Sequence, residues 1–263
     1  MTKFGLGKHF VSLKFFYLQL AFLFTIINFP LKAYCEKQSI PLKVCTTGGF
    51  VPFSSYANGK WIGFDIEMIK EFSKTSHFKY KVYNFNIDDI FQALNDYKCD
   101  LIAAGITITD ERKKEFLFSL PYYSSGIVYM YKKENLEIDK VEKFEMLNSN
   151  KYKVGVKLGT TNDYFAVKYL GNTNITKFTD YSEVINAVIK GSVDYVIVDL
   201  SFASFVEKKN PNQLNYKLTP EDHELYGIVS RKNNQELINN FNKFLDKWKS
   251  SGKYEKILKK YFN

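Results

Sequence analysis

Hydrophobic and polar positions alternate along this chain between the two periods that separate strands from helices. Short apolar or alternating runs predict strands, and apolar residues at every third or fourth position predict helices. From residue 42 onward the predicted order is strand, helix, strand, helix, strand, helix, at residues 42–46, 65–74, 79–85, 87–94, 101–104 and from Thr109. This order predicts an α/β domain with a largely parallel sheet.

A second alternation with the same order follows a strand at residues 127–131 and a charged, loop-like region that ends at residue 150. Its predicted strands are residues 153–156, 175–178, 193–198 and 225–230, and its helices are residues 163–169, 181–190, 201–208, 234–248 and 253–261. Ligands of such units lie beyond the carboxyl ends of the strands. Two units that face each other therefore predict a cleft, and the trailing helices can return to the first unit if the chain crosses back near Tyr226.

The stretch Asp-Leu-Ile-Ala-Ala-Gly-Ile-Thr-Ile-Thr-Asp-Glu-Arg at residues 100–112 carries the strongest chemical signal. Gly105 lets the backbone bend after an apolar strand, and Thr109 followed by two acids predicts a helix start. The strand end then offers a carbonyl at Gly105, a hydroxyl at Thr107 and a guanidinium at Arg112. The first two can accept from an ammonium and the third can bind a carboxylate. Together they match the two charged ends of an amino-acid zwitterion.

The N-terminus predicts export. Residues 1–35 contain lysines followed by a 15-residue, almost wholly apolar stretch at residues 15–29. That length is short for a membrane span of about 20 residues and typical of a signal-peptide core. We therefore expect a signal peptide at residues 1–35 and a periplasmic location. A retained N-terminal anchor is the alternative, and a lipid attached at Cys35 is disfavoured by the bulky Tyr34.

Charge and cysteines narrow the function classes. The chain has a formal net charge of +9, and the first 35 residues hold four lysines and no acid, which leaves +5 for the rest. These lysines are scattered among acids without a basic stripe, so nucleic acid is not an expected partner. Neither the histidines nor the three cysteines have metal-ligand spacing. Cys45 and Cys99 are expected to be small buried residues, with a disulfide between them as the alternative in an oxidising compartment.

An ordered set of motifs then gives a family resemblance that covers nearly all the chain after residue 40. The first half contributes Thr-x-x-x-Phe-x-Pro-Phe at residues 46–53, Gly-Phe-Asp-Ile at 63–66, the stretch at 99–112 and Phe-Ser-x-Pro-Tyr-Tyr at 118–123. The second half contributes Val-Gly-Val-Lys-x-Gly-Thr-Thr at residues 154–161 and Val-Asp-Tyr-Val-Ile-Val-Asp at 193–199. In this set the sequence resembles the periplasmic amino-acid-binding proteins of ABC transporters, bacterial solute-binding protein family 3.

The resemblance implies the type II periplasmic-binding-protein fold, an α/β fold of two lobes with the ligand cleft between them. Two hinge strands would join the lobes, with lobe 1 at residues 41–123 plus 227–263 and lobe 2 at residues 128–223. It also implies a monomer without a cofactor that captures an amino-acid ligand and passes it to the membrane permease of an ABC transporter.

The resemblance also implies a role for each matched residue. Arg112 would bind the ligand carboxylate together with Thr161 and Thr160 at a helix N-terminus, a natural anion site. Gly105, Thr107 and Asp199 would hold the ammonium. Phe50 would cover the ligand side chain, and Thr47, Ile87 and Lys157 would lie near its tip. Several of these roles have a structural alternative: Thr160 and Asp199 can cap helices, Phe50 can be core, and Lys157 can reach solvent.

The ligand expectation comes from two departures from the family pattern. Many relatives carry Asp where this chain has Thr47, and Lys157 would repel a cationic ligand tip. A polar or acidic amino acid such as glutamine or glutamate is therefore favoured. The alternatives are a cyclohexadienyl or arogenate dehydratase on the same fold, which would need an acid/base carboxylate in the cleft, and an amino-acid sensor. Asp199 is the one carboxylate that the sequence nominates for the cleft, and no paired-carboxylate or Ser-His-Asp constellation accompanies it.

Overall fold

The structure is a computed structural model, which describes Met1, residues 40–220 and residues 223–262. The predicted signal peptide at residues 1–35 lies outside these residues apart from Met1. Across the described ranges, no helix combines the length and apolar character needed to cross a bilayer.

Strands and helices alternate through most of the described chain. The strands are β1 (Leu42–Thr46), β2 (Gly49–Phe50), β3 (Ser54–Ala57), β4 (Lys60–Ile62), β5 (Tyr80–Asn84), β6 (Leu101–Ile102), β7 (Phe116–Phe118), β8 (Tyr123–Ser125), β9 (Ile127–Lys132), β10 (Lys153–Lys157), β11 (Asn174–Phe178), β12 (Tyr195–Asp199), β13 (Leu214–Leu218), β14 (Glu224–Tyr226) and β15 (Val229–Arg231). The helices are α1 (Phe64–Ser76), α2 (Ile87–Asn95), α3 (Asp110–Glu115), α4 (Leu136–Asp139), α5 (Thr161–Tyr169), α6 (Tyr181–Lys190), α7 (Leu200–Lys209), α8 (Gln235–Ser250) and α9 (Lys253–Phe262).

The strands build two five-stranded sheets, and each sheet forms the centre of one lobe. The sheet of lobe 1 has the order β5-β1-β6-β15-β7, and the sheet of lobe 2 has the order β11-β10-β12-β9-β13. In each sheet the first three strands in this order are parallel to one another. The fourth strand, β15 in lobe 1 and β9 in lobe 2, is antiparallel to both of its neighbours. The α/β class and the two-lobed architecture predicted from the sequence are confirmed.

Two crossing strands connect the lobes. The chain leaves lobe 1 along β8, returns along β14, and the two strands pair antiparallel, with Ser125 opposite Glu224 and Tyr123 opposite Tyr226. The return near Tyr226 therefore lies where the sequence placed it. The lobe boundaries themselves stay a prediction.

Several predicted elements need correction. The single strand expected at residues 225–230 is two strands, because β14 pairs in the hinge whereas β15 turns into the sheet of lobe 1. The loop-like region at residues 132–150 contains α4 and a short 3-10 helix at Phe144–Leu147. The strands β7 and β13 were not predicted, since an edge strand of three to five residues gives little periodic signal.

The trailing helices pack on lobe 1, as expected. Phe241 on α8 contacts Phe72 on α1 with ring centroids 5.0 Å apart, and Trp248 lies 5.9 Å from Phe64. Aromatic side chains of this size dominate the energy of a core. The C-terminal helices are therefore part of the lobe that carries Arg112.

Cys45 and Cys99 are fully buried, and they form a disulfide with their Cα atoms 5.7 Å apart. The expectation of two unpaired small residues is wrong, and its alternative is what the structure shows. The bridge links β1 to the segment that enters β6, because these strands are neighbours in the sheet. Thr47 follows β1 directly, and Gly105 lies three residues after β6.

Candidate functional site

All ten residues nominated by sequence line one cavity between the lobes. They are Thr47, Phe50, Ile87, Gly105, Thr107, Arg112, Lys157, Thr160, Thr161 and Asp199, and Ala104, Ile106 and Tyr181 complete the lining. The cavity volume in this structure is about 30 Å³, well below the roughly 300–1,000 Å³ of small-molecule sites, so the side chains around it nearly fill the space between the lobes. Their roles in binding stay a prediction, but the structure brings all of them together.

Gly105 turns the chain at the end of β6. Its φ of +59° lies in the left-handed region, and a Cβ there would come within 2.3 Å of the Phe50 ring. A glycine is needed for both reasons. The backbone N–H of Gly105 donates to the Asp65 carboxylate at 2.8 Å, so a buried acid fixes the turn.

Asp65, in the Gly-Phe-Asp-Ile motif, is a supporting residue whose role the sequence did not reveal. It is fully buried and also accepts a hydrogen bond from the Tyr122 hydroxyl at 3.0 Å. Burial raises the pKa of Asp65 to about 7, and the hydrogen bonds from Gly105 and Tyr122 act in the opposite direction. Asp65 therefore stabilises the bend that presents Gly105 to the cavity.

Arg112 projects from the start of α3, as the sequence predicts. The Thr109 side chain caps this helix by accepting from the Arg112 backbone N–H at 3.2 Å. The guanidinium lies over the Phe91 ring at 5.0 Å and donates from Nη1 to the Thr107 carbonyl at 2.9 Å. Burial lowers the pKa of Arg112, and the nearby charge of Glu224 opposes this. Among the described residues no carboxylate forms an ion pair with Arg112, so its remaining donors can bind an anion.

Thr160 and Thr161 lie at the N-terminus of α5 on lobe 2. Thr160 caps the helix: its hydroxyl accepts from the Asp163 N–H at 3.3 Å and donates to the Lys157 carbonyl at 2.7 Å. The hydroxyl of Thr161 lies 3.5 Å from that of Thr107 on lobe 1. Thr160 therefore caps the helix, which is the alternative role given to it above. Thr161 is the residue of the pair whose hydroxyl faces the other lobe.

Asp199 ends β12 and is almost fully buried. Although it occupies the first position before α7, its side chain makes no capping bond. Its carboxylate instead accepts from Asn162 Nδ2 at 2.8 Å, the Tyr181 hydroxyl at 3.1 Å and the Tyr226 hydroxyl at 2.6 Å. Three donors hold the charge of Asp199 at the cavity.

Aromatic rings and one ammonium form the other side of the cavity. Phe50 stacks on Tyr181 with centroids 5.2 Å apart, a contact between the lobes. Lys157 Nζ lies 4.7 Å from the centroid of the Tyr181 ring. Burial lowers the pKa of Lys157, and the charges of Asp180, Asp88 and Asp199 oppose it. The ion pairs found in the described part of the chain do not include Lys157, so its ammonium can meet an acceptor on a ligand.

Glu224 is a second carboxyl group at the site, and the sequence did not nominate it. It lies on the hinge strand β14, 6% exposed, and accepts from the Thr107 hydroxyl at 3.2 Å. Burial raises the pKa of Glu224 above its usual range, with the charge of Asp199 as the next cause. Period-two alternation places Glu224 and Tyr226 on the same buried face of β14, which is the signal that could have revealed it.

Two α/β lobes, two hinge strands and a cavity between the lobes define a type II periplasmic-binding-protein fold. The family described as bacterial extracellular solute-binding proteins, family 3, matches residues 42–263. The chain belongs to this family of solute-binding proteins, and the relatives reported below are described as amino-acid-binding proteins.

Individual relatives agree with this assignment. The chain is 32% identical over 225 residues to a probable histidine-binding protein of Neisseria gonorrhoeae, covering 84% of this chain and 82% of the relative. An ancestral arginine-binding protein bound to glutamine is 37% identical with a TM-score of 0.78, covering 84% of this chain and 97% of the other. An ancestral amino acid-binding protein described as a precursor of cyclohexadienyl dehydratase is 34% identical with a TM-score of 0.80, covering 87% and 97%.

Proposed function

We propose that this chain captures a free L-amino acid with a polar or acidic side chain, such as glutamine or glutamate, and delivers it to the permease of an ABC transporter. It would act in the periplasm as a monomer. One observation carries the proposal: the cavity places an Arg112 guanidinium without an ion-pair partner among the described residues on lobe 1, and the Asp199 carboxylate on lobe 2. These two charges complement the two ends of a zwitterion.

The polar ends would be held by both lobes. Arg112 would grip the α-carboxylate, with Thr161 at the N-terminus of α5 adding a hydroxyl and a favourable dipole. Asp199, Thr107 and the Gly105 carbonyl would hold the ammonium. The lobes would close by hinge rotation at β8 and β14. Because the ligand would contact both lobes, its binding energy would stabilise this closed arrangement.

The preference for an acceptor-bearing side chain follows from Lys157. A buried ammonium without an ion-pair partner in the described chain is costly, and a carboxamide or carboxylate on the ligand would relieve that cost. A cationic tip would be repelled. Relatives are named for histidine, arginine, cystine and glutamine, so family membership alone leaves the choice open.

The test is a thermal-shift screen of the refolded, ligand-stripped protein against the twenty amino acids. Ligands that bind only the folded form stabilise it by about 4 kcal/mol at a thousand times Kd, and glutamine or glutamate should give the largest shift. Lys157→Met, which keeps similar volume without charge, should lose this preference and gain affinity for arginine relative to wild type. If arginine gives the largest shift in wild type, the ligand class is wrong; if no amino acid shifts the transition, amino-acid capture is wrong.

A dehydratase is the second candidate, because one similar structure is described as a precursor of such an enzyme and Glu224 adds a carboxyl group near Asp199. Glu224 lies behind Thr107 and does not line the cavity. Asp199 is already held by three donors and would pair with the ammonium. We therefore expect no turnover of prephenate or arogenate by the purified protein, and steady consumption of either would favour the enzyme.

A further inference from the structure

Glu224 is a buried acid that the capture of a zwitterion leaves without a role. Its Oε1 accepts from Thr107 on lobe 1 at 3.2 Å, and the nearby charge of Asp199 on lobe 2 raises its pKa. Its own strand, β14, is part of the hinge. One side chain at the hinge therefore interacts with ligand-facing residues of both lobes.

A hydrogen bond between Glu224 and Asp199 would require a proton. Ionised carboxylates have only acceptors, so two of them repel each other and cannot share a hydrogen bond. Asp199 accepts from three donors, so both of its carboxylate oxygens already act as acceptors. Glu224 Oε2 is buried and has no hydrogen-bond donor. The proton therefore belongs on Glu224.

We propose that Glu224 is a positioning residue that acts as a neutral carboxylic acid, donating to Asp199 and accepting from Thr107 so that both are held in the closed arrangement. The inference rests on the proposed function, because Asp199 and Thr107 are the groups proposed to hold the ligand ammonium. Opening the cleft exposes Glu224 to water, where a glutamate with a pKa of about 4.3 is ionised at neutral pH. Closure around a ligand then takes up one proton.

The groups that face Glu224 do not all act in the same direction. Burial and the charge of Asp199 raise the pKa of Tyr181 and of Tyr226, so both remain protonated donors to Asp199. Arg112 is the facing cation, and its charge interacts favourably with an ionised Glu224. His223 precedes Glu224 in the chain and is exposed. Histidines commonly change charge between about pH 5 and pH 8, so the His223 side chain needs a control.

The sign of the pH effect follows from linkage. A group whose pKa is higher in the closed complex than in the open protein favours closure at acid pH. That contribution is lost as the pH rises from the open-state pKa through the closed-state pKa. One proton limits the slope to about a tenfold change in affinity per pH unit. The wild type should therefore bind its amino acid more weakly as the pH rises.

The experiment is calorimetric titration of L-glutamine into the full-length mature protein at about pH 5.5 and about pH 7.5, in two buffers of different ionisation enthalpy. Wild type and the control His223→Gln should weaken by at least about threefold between these pH values and take up protons, in line with linkage. Glu224→Gln has an amide that can both donate and accept. Its affinity should change by less than about twofold between the two pH values, with no proton uptake. Glu224→Ala, which does neither, should bind at least about tenfold more weakly at the lower pH.

The outcomes separate the two ideas. If wild type binds glutamine without pH dependence, or if Glu224→Gln keeps the dependence, the role of Glu224 is overturned while amino-acid capture stands. If Glu224→Gln loses binding altogether while its thermal unfolding matches wild type, a charged Glu224 is needed and the neutral-acid role is overturned. If neither glutamine nor any other amino acid binds the wild type, the proposed function fails, and this inference fails with it.

Discussion

At the scale of single residues, the site is defined by charges that the protein leaves available. Arg112 is held by a ring and a carbonyl rather than by a carboxylate, whereas Arg231, elsewhere in lobe 1, uses its guanidinium on Leu94, Cys99 and Asp100. Donors of a partly buried guanidinium that lack partners favour an anionic ligand. The difference between the two arginines separates a candidate binding residue from a structural one.

Replacing Arg112 should therefore remove ligand binding with little loss of stability. Truncating one partner of a buried charge pair costs about 2–5 kcal/mol, so Arg112→Ala should weaken amino-acid binding by about 1.5 to 3.5 decades in calorimetric titration. Arg112→Lys keeps the charge but lacks the planar fork, and should recover only part of the affinity. Lys113→Ala, on the exposed side of the same helix, is the matched control and should bind like wild type. A loss of less than one decade in Arg112→Ala would refute the assignment.

At the scale of elements, strand ends and helix starts position the site. The end of β6 supplies Gly105, and the start of α5 supplies Thr161. The turn at Gly105 is tight on two counts, because its φ is +59° and Phe50 occupies the place of a side chain. The shape of the cavity wall therefore depends on the absence of one Cβ atom.

Gly105→Ala should both destabilise the protein and weaken ligand binding. Alanine at a positive φ, placed against a packed ring, costs roughly 1–3 kcal/mol, and the displaced Phe50 would no longer fit against the ligand side chain. Gly49→Ala is the control, since a Cβ at Gly49 has no atom within 4 Å and its φ is not in the left-handed region. Urea unfolding and titration calorimetry would measure both effects. Equal stability and affinity of the two variants would show that the turn does not require glycine.

Most of these elements could be predicted because their local patterns agree with their tertiary roles. The strand, glycine and capped helix at residues 101–112 are visible in the sequence, and all ten nominated residues line one cavity. Asp65 and Glu224 could not be assigned roles in the same way. In a sequence a buried acid looks like a surface acid, and only the fold shows which carboxyl groups lose water. The two lie on α1 and β14, far in sequence from the cavity residues they support.

At the scale of the whole molecule, closure and stability are connected at the base of the cleft. The lobes meet through Thr107 and Thr161 and through Phe50 and Tyr181. A ligand bound between the lobes would add contacts to both lobes at once. The lobe that holds Arg112 must therefore keep β1 and β6 in register while the other lobe moves.

The Cys45–Cys99 disulfide meets that requirement, because it joins β1 to the start of β6 across a sequence separation of 54 residues. Closing a loop of that length lowers the entropy of the unfolded chain, and typical disulfides stabilise by about 2–4 kcal/mol. Cys45→Ala/Cys99→Ala should therefore unfold at a lower urea concentration, and its free energy of unfolding should be smaller by that amount. If the two cysteines were only packed side by side, the variant would lose about 1 kcal/mol of unfolding free energy, because it would only leave small cavities in the core. Peptide mapping without reductant should recover Cys45 and Cys99 in one linked pair, and recovery of two separate thiol peptides would return these residues to the role of buried hydrophobic side chains. If the mapping confirms the link, we expect the double variant to lose amino-acid affinity as well as stability, because Thr47 follows β1 directly and Gly105 lies three residues after β6.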